Sequence, residues 1–128
     1  MNMNFLIILL SVFLLSACTE QNTEEKKLIF SGESDNWSVS YEADVITETT
    51  ENSETTGYTI QYIGNGPIPE RIEYSIFRSS GSTTLDQNGA YKTYGSSCSN
   101  CAVTSEDSEM EATIKWWNSS ETIPLVLE

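Results

Sequence analysis

The sequence predicts an all-β fold, an antiparallel immunoglobulin-like β-sandwich of about seven strands. Three observations carry this. Apolar and polar residues alternate with period two over most of the chain after residue 27, the pattern of half-buried strands. Clusters of Gly, Asn, Asp and Pro punctuate these runs, as turns require. Beyond the N-terminal segment, no stretch places apolar residues at the i, i+3, i+4, i+7 spacing of an amphipathic helix. A small open barrel is the alternative arrangement for the same strands.

Each strand has its own signature. Leu28-Ile29-Phe30 is short and apolar. Trp37, Val39, Tyr41, Ala43 and Val45 alternate with Ser38, Ser40, Glu42 and Asp44, which predicts one long strand with the first set inward. Residues from Ile46 to Thr56 are rich in Thr and Glu and read as a long loop. Tyr58, Ile60 and Tyr62 then alternate with Thr59 and Gln61, and Ile72, Tyr74 and Ile76 with Glu73 and Ser75. Ala90 to Tyr94 is a weaker strand. Met110, Ala112, Ile114 and Trp116 alternate with Glu111, Thr113 and Lys115. The final run, Ile123 to Leu127, contains Pro124. Proline cannot donate to a ladder, so this strand is expected at an edge, or with Pro124 where no bond is needed. Gly64-Asn65-Gly66-Pro67, Asp86-Gln87-Asn88-Gly89 and Asn118-Ser119-Ser120 supply turns. The expected core includes Trp37, Tyr41, Ile60, Ile72, Ile114 and Leu125.

The N-terminus reads as an address. Phe5 to Leu15 is an unbroken apolar run apart from Ser11. It is shorter than the ~20 residues of a spanning helix and matches the ~7–15 of a signal-peptide core. It ends in Leu15-Ser16-Ala17-Cys18, which resembles the lipobox of bacterial lipoproteins. In that family the cysteine thiol receives a diacylglyceryl group and the chain is cut just before it. The resemblance implies a signal peptide over residues 1–17 and lipidation at Cys18. Met1 to Asn4 contains no Lys or Arg, so only the α-amino group supplies the positive charge that orients such a segment. Residues 18–26, polar and without apolar periodicity, are expected to be a flexible tether, with the sandwich domain over residues 27–128.

Two further stretches resemble small uncharacterised lipoproteins of low-G+C Gram-positive bacteria. One is Phe30-Ser31-Gly32-Glu33-Ser34 with Asn36-Trp37-Ser38-Val39. The other is Thr113-Ile114-Lys115-Trp116-Trp117-Asn118 followed by Glu121-Thr122. The group's ending has a single Trp and a turn glycine. Here the Trp is doubled and Ser119 stands where Gly is expected. The resemblance implies the anchor and the fold and transfers no catalytic residue.

Composition narrows the chemistry. The 128 residues contain six Lys and Arg, 19 Asp and Glu and no His, for a formal net charge of −13. Without histidine there is no Ser-His-Asp or Cys-His machinery, no HExxH zinc motif and no histidine-held haem. With Cys18 assigned to lipid, Cys98 and Cys101 remain as an even pair. Outside the cytoplasmic membrane the expectation is a disulfide closing a short loop. A redox pair, a soft-metal site and free thiols are the alternatives. The CxxC lacks the βαβ context of redox motifs, and no second CxxC or His completes a tetrahedral metal site. The carboxylates Glu48, Glu51 and Glu54, and Glu106, Asp107, Glu109 and Glu111, contain no calcium-loop motif and read as solvated surface. Trp37 is expected in the core. Trp117 is expected to point outward beside Val126 and is the candidate partner contact.

These readings converge on one expectation. It is a non-enzymatic lipoprotein on the extracytoplasmic face of the cell membrane, held by lipid on Cys18, with no catalytic residue, no metal and no cofactor. Its acidic surface disfavours nucleic acid and favours a cationic peptide or protein partner. The alternative is an envelope thiol-redox or soft-metal-handling protein built on Cys98 and Cys101.

Overall fold

The computed structural model describes residues 23–128; the expected signal peptide, residues 1–17, and Cys18 lie outside them. Eight antiparallel strands account for most of these residues: β1 (Glu24–Glu33), β2 (Trp37–Thr47), β3 (Asn52–Tyr62), β4 (Arg71–Ile76), β5 (Ser79–Thr84), β6 (Ala90–Ser99), β7 (Met110–Trp116) and β8 (Ser119–Leu127). Their order is β5-β4-β7-β8-β1-β2-β3-β6.

Two separate sheets were the expectation, and β8 joins them into one. It pairs with β7 along its length and with β1 through Phe30–Leu127 and Ser31–Val126. The joined sheet curls almost into a barrel, and aromatic contacts cross its interior. Trp37 on β2 meets Trp116 on β7 at 5.4 Å between ring centroids, and Tyr58 on β3 meets Tyr74 on β4 at the same separation. The two edge strands, β5 and β6, are consecutive in sequence. Between them the Asp86 carboxylate accepts from the Asn88 and Ala90 N–H groups at 2.8 and 2.9 Å, forming a turn with Gly89 at φ 78°.

Period two sets the core. Trp37, Val39, Tyr41, Ala43 and Val45 are all buried, as are Ile60, Ile72, Ile114 and Leu125. Burial of such side chains is the main favourable term for a sheet of this size. Pro124 lies opposite Glu111 on β7 and short of the two-residue ladder with β1, so no bond to β1 is lost there.

Four expectations need correction. β1 begins at Glu24, and residues 24–26 pair with Thr47, Ile46 and Val45; the long β2 offers backbone partners that this polar stretch takes up, so the domain reaches into the expected tether. The expected loop from Ile46 to Thr56 shrinks to a turn over residues 48–51, where the Glu48 N–H donates to the Glu51 carbonyl at 2.9 Å. β5, Ser-Ser-Gly-Ser-Thr-Thr, has no apolar alternation because it is a largely exposed edge, and it raises the strand number to eight. Trp117 is not a strand residue beside Val126. It occupies the β7–β8 turn at φ 47°, at the other end of that hairpin from Val126.

The curled sheet has two distinct ends. One carries the start of β1, the β2–β3 turn, the end of β6 and the loop after it, tied by the Asn100 N–H donating to the Asn52 carbonyl at 2.7 Å and by the Lys26–Glu106 ion pair. The other carries the β1–β2, β7–β8 and β5–β6 turns and the loop after β3. There the Ile63 N–H donates to the Asn36 carbonyl and the Tyr62 N–H to the Gly89 carbonyl, both at 2.8 Å.

Candidate functional site

The first end holds the reactive side chains. Cys98 and Cys101 are joined by a disulfide with 6.1 Å between Cα atoms. Cys98 stands opposite Glu54 in the β3–β6 ladder. A bulge produces that pairing: the register shifts between Thr56 and Gly57, opposite Ser96 and Tyr94, leaving Gly95 as the extra residue. Gly95 has φ 102°, a conformation that glycine adopts without steric cost. Tyr91 faces Ile60 on the core side. An uninterrupted alternation would turn Cys98 outward, and the extra residue returns it to the core side with Glu54.

Glu54 is the one acidic side chain buried among the described residues, at 7% exposure. The Thr104 N–H donates to its Oε2 at 2.8 Å, the kind of bond a buried carboxylate needs. One carboxylate oxygen and the two cysteine sulfurs all lie within 4.8 Å of one another. Nearby, burial raises the pKa of the Tyr41 hydroxyl, and the Glu54 charge adds to the rise. The Arg78 guanidinium donates to the Ala102 carbonyl and stacks over the Phe77 ring, which fastens the loop after β6 to the β4–β5 turn. A shallow cleft lined by Glu48, Glu51, Asn52 and Asn100 leads to Cys101.

The opposite end is organised by Glu121. Its Oε1 accepts from the Ser34 hydroxyl at 2.5 Å and the Asn36 N–H at 3.1 Å, and its Oε2 from the Asn36 side-chain amide at 2.6 Å. Burial pushes the carboxyl pKa up, but these donors outweigh it and the net shift is downward. The network fixes the β1–β2 turn against the β7–β8 hairpin. Trp116 packs on Trp37 inside, while Trp117 is 68% exposed in the adjoining turn. Ile63 and Ile68 are also exposed, in the loop after β3.

A third cluster lies between the sheet edges. The Tyr58 and Tyr74 hydroxyls are 2.6 Å apart, and the Tyr91 ring packs on both. Burial first, and the bond to Tyr58 second, push the Tyr74 hydroxyl pKa up to about 12.

Compared with protein-family models, curated proteins and solved structures, the chain matches none. Of the residues singled out in the sequence, Cys98 and Cys101 come together at one end and Trp117 stands at the other. Cys18 lies outside the described residues. Glu54, assigned in the sequence to a solvated loop, is the functional candidate missed there. Counting back by two from Ile60 through Tyr58 and Thr56 reaches it, so period two was its signal. No helix among the described residues is long and apolar enough to cross a membrane.

Proposed function

We propose that this is a membrane-anchored, extracytoplasmic, non-enzymatic binding module, held by lipid on Cys18 and presenting an acidic domain to a cationic peptide or protein. The observation that carries the reading is Leu15-Ser16-Ala17-Cys18 directly after an apolar run too short to span a membrane, and the start of β1 sets how the domain would hang from it. Glu24 is six residues from Cys18, a span of about 20 Å when extended. A lipid on Cys18 would therefore keep the disulfide end near the bilayer and turn the Trp117 end away from it.

Other features agree. A disulfide suits an oxidising compartment. Apart from Glu54, no acidic side chain is buried among the described residues, so most of the formal charge of −13 lies on the surface and repels nucleic acid. The outward end offers an exposed Trp and two exposed Ile. Aromatic anchors with apolar neighbours are the groups that dominate protein contacts.

Intact-mass measurement of the processed protein tests the anchor. The expected product begins at Cys18 and carries a diacylglyceryl group, and Cys18→Ala leaves the uncut precursor in its place. A processed chain beginning at another residue overturns the reading.

A further inference from the structure

We propose that reduction of the Cys98–Cys101 disulfide by a small-molecule dithiol, which gives up two electrons and two protons and leaves as its own cyclic disulfide, creates, with Glu54, a binding site for a thiophilic divalent cation, zinc by preference, where β3 begins and β6 ends. The inference does not depend on the lipid at Cys18.

The donors are already gathered. The two sulfurs and a Glu54 carboxylate oxygen lie within 4.8 Å of one another; donors around tetrahedral zinc with ligands at ~2.0–2.3 Å stand about 3.5 Å apart, so the two sulfurs, bonded to each other in the disulfide, separate by side-chain rotation on reduction while the carboxylate is already within reach. Contacts that do not involve the disulfide hold them there. Glu54 and Cys98 are ladder partners. Thr104 bonds the Glu54 carboxylate. Cys101 follows a turn in which Asn100 has φ 56° and its N–H is bonded to the Asn52 carbonyl. Breaking the S–S bond leaves all three constraints in place, so the ligands stay preorganised.

The chemistry selects the ion. Two thiolates and a carboxylate form an S2O set. Monovalent copper prefers an all-sulfur environment and calcium or magnesium an all-oxygen one, whereas zinc accepts this mixture. The fourth position is left to water. Zinc binds the two sulfurs as thiolates. A divalent ion therefore displaces both thiol protons to solvent on binding. Glu48 and Glu51 in the approach cleft add an attractive field for it.

The site is also reversible. A small-molecule disulfide oxidant takes two electrons from the two thiolates. The Cys98–Cys101 bond forms, zinc leaves as the free dication, and the oxidant leaves as two thiolates. Sequence spacing alone could not reveal the third ligand, because Glu54 and Cys98 meet only through the ladder.

The test uses the full chain carrying Cys18→Ser, in detergent, so that two thiols remain. After reduction and removal of the reductant, one zinc ion per chain is expected, and cobalt in its place should give a thiolate-to-metal charge-transfer band. The disulfide-bonded chain should bind neither. Glu54→Gln should weaken zinc at least tenfold, about 1.4 kcal/mol, and keep the charge-transfer band. If Glu54→Gln loses the β-sheet circular dichroism, Glu54→Asp replaces it, with weaker zinc binding again expected from its shorter reach. A reduced chain that takes up no stoichiometric zinc, or a zinc affinity unchanged by the Glu54 substitution, overturns the proposal.

Discussion

Glu54 and Cys98 face each other across the β3–β6 ladder, two steps beyond the shift that Gly95 introduces. The disulfide thus grows from a paired strand, and its turn is already closed by the Asn100–Asn52 backbone bond. The S–S link has little left to constrain. The double substitution Cys98→Ser with Cys101→Ser should cost no more than ~2 kcal/mol, the chain-entropy value for so short a loop. Urea unfolding of the oxidised wild type and the variant measures it, and a much larger loss would mean that the link holds the curled sheet together.

Tyr74 makes stability fall in alkali. Its hydroxyl ionises near 10 in the unfolded chain and at about 12 in the folded one. The folded state therefore keeps a proton that the unfolded state has lost, and its contribution, complete below pH 10, disappears as pH rises from 10 to 12. The urea midpoint should drop across that window. Tyr74→Phe should flatten the drop, and an unchanged slope in the variant would assign it to other groups.

Glu121 acts in the opposite direction. Its carboxyl pKa lies below the ordinary 4.5, so its contribution is present above that value and is lost as pH falls through the folded pKa. Glu121→Gln keeps the shape but removes the charge from bonds to Ser34 and Asn36, with an expected loss of ~1–2 kcal/mol. The loss should shrink as pH falls through the folded carboxyl pKa, where the wild-type carboxyl itself becomes protonated. Thermal unfolding across that titration distinguishes this from a loss that pH does not affect.

The surface charge should govern encounter. Association with a Lys-rich peptide is expected to slow steeply from low salt to 1 M, where screening acts within ~3 Å. Stopped-flow fluorescence reads the rate, and an association rate indifferent to salt would leave the acidic surface a role in solubility alone.

Much of this architecture was legible because side-chain alternation reports which face is buried. Trp37 to Val45 and Met110 to Trp116 declare their inward sets without ambiguity. β5 was invisible because an exposed edge places no demand on apolar spacing. The Trp117 turn was misread because alternation was carried one residue too far. Joining of the two halves through β8 could not be inferred, since pairing of Ser31 with Val126 leaves no local pattern. At the site, the two cysteines were evident from spacing and Glu54 lay on the period-two count from Ile60 amid polar neighbours, whereas the bulge on β6 that brings Cys98 opposite it left no signal.

The β1–β8 seam also dictates an order of assembly. The hairpins β1–β2, β2–β3, β4–β5 and β7–β8 each join neighbours in the chain and can zip locally. Phe30 and Leu127 are 97 positions apart, and among the described residues no strand other than β8 flanks β1 on that side. Long-range closure of this kind is entropically slow. Until β8 docks, β1 is a bare edge able to recruit a strand from another molecule. The interval before β8 arrives is therefore when this edge is most open to pairing with another molecule.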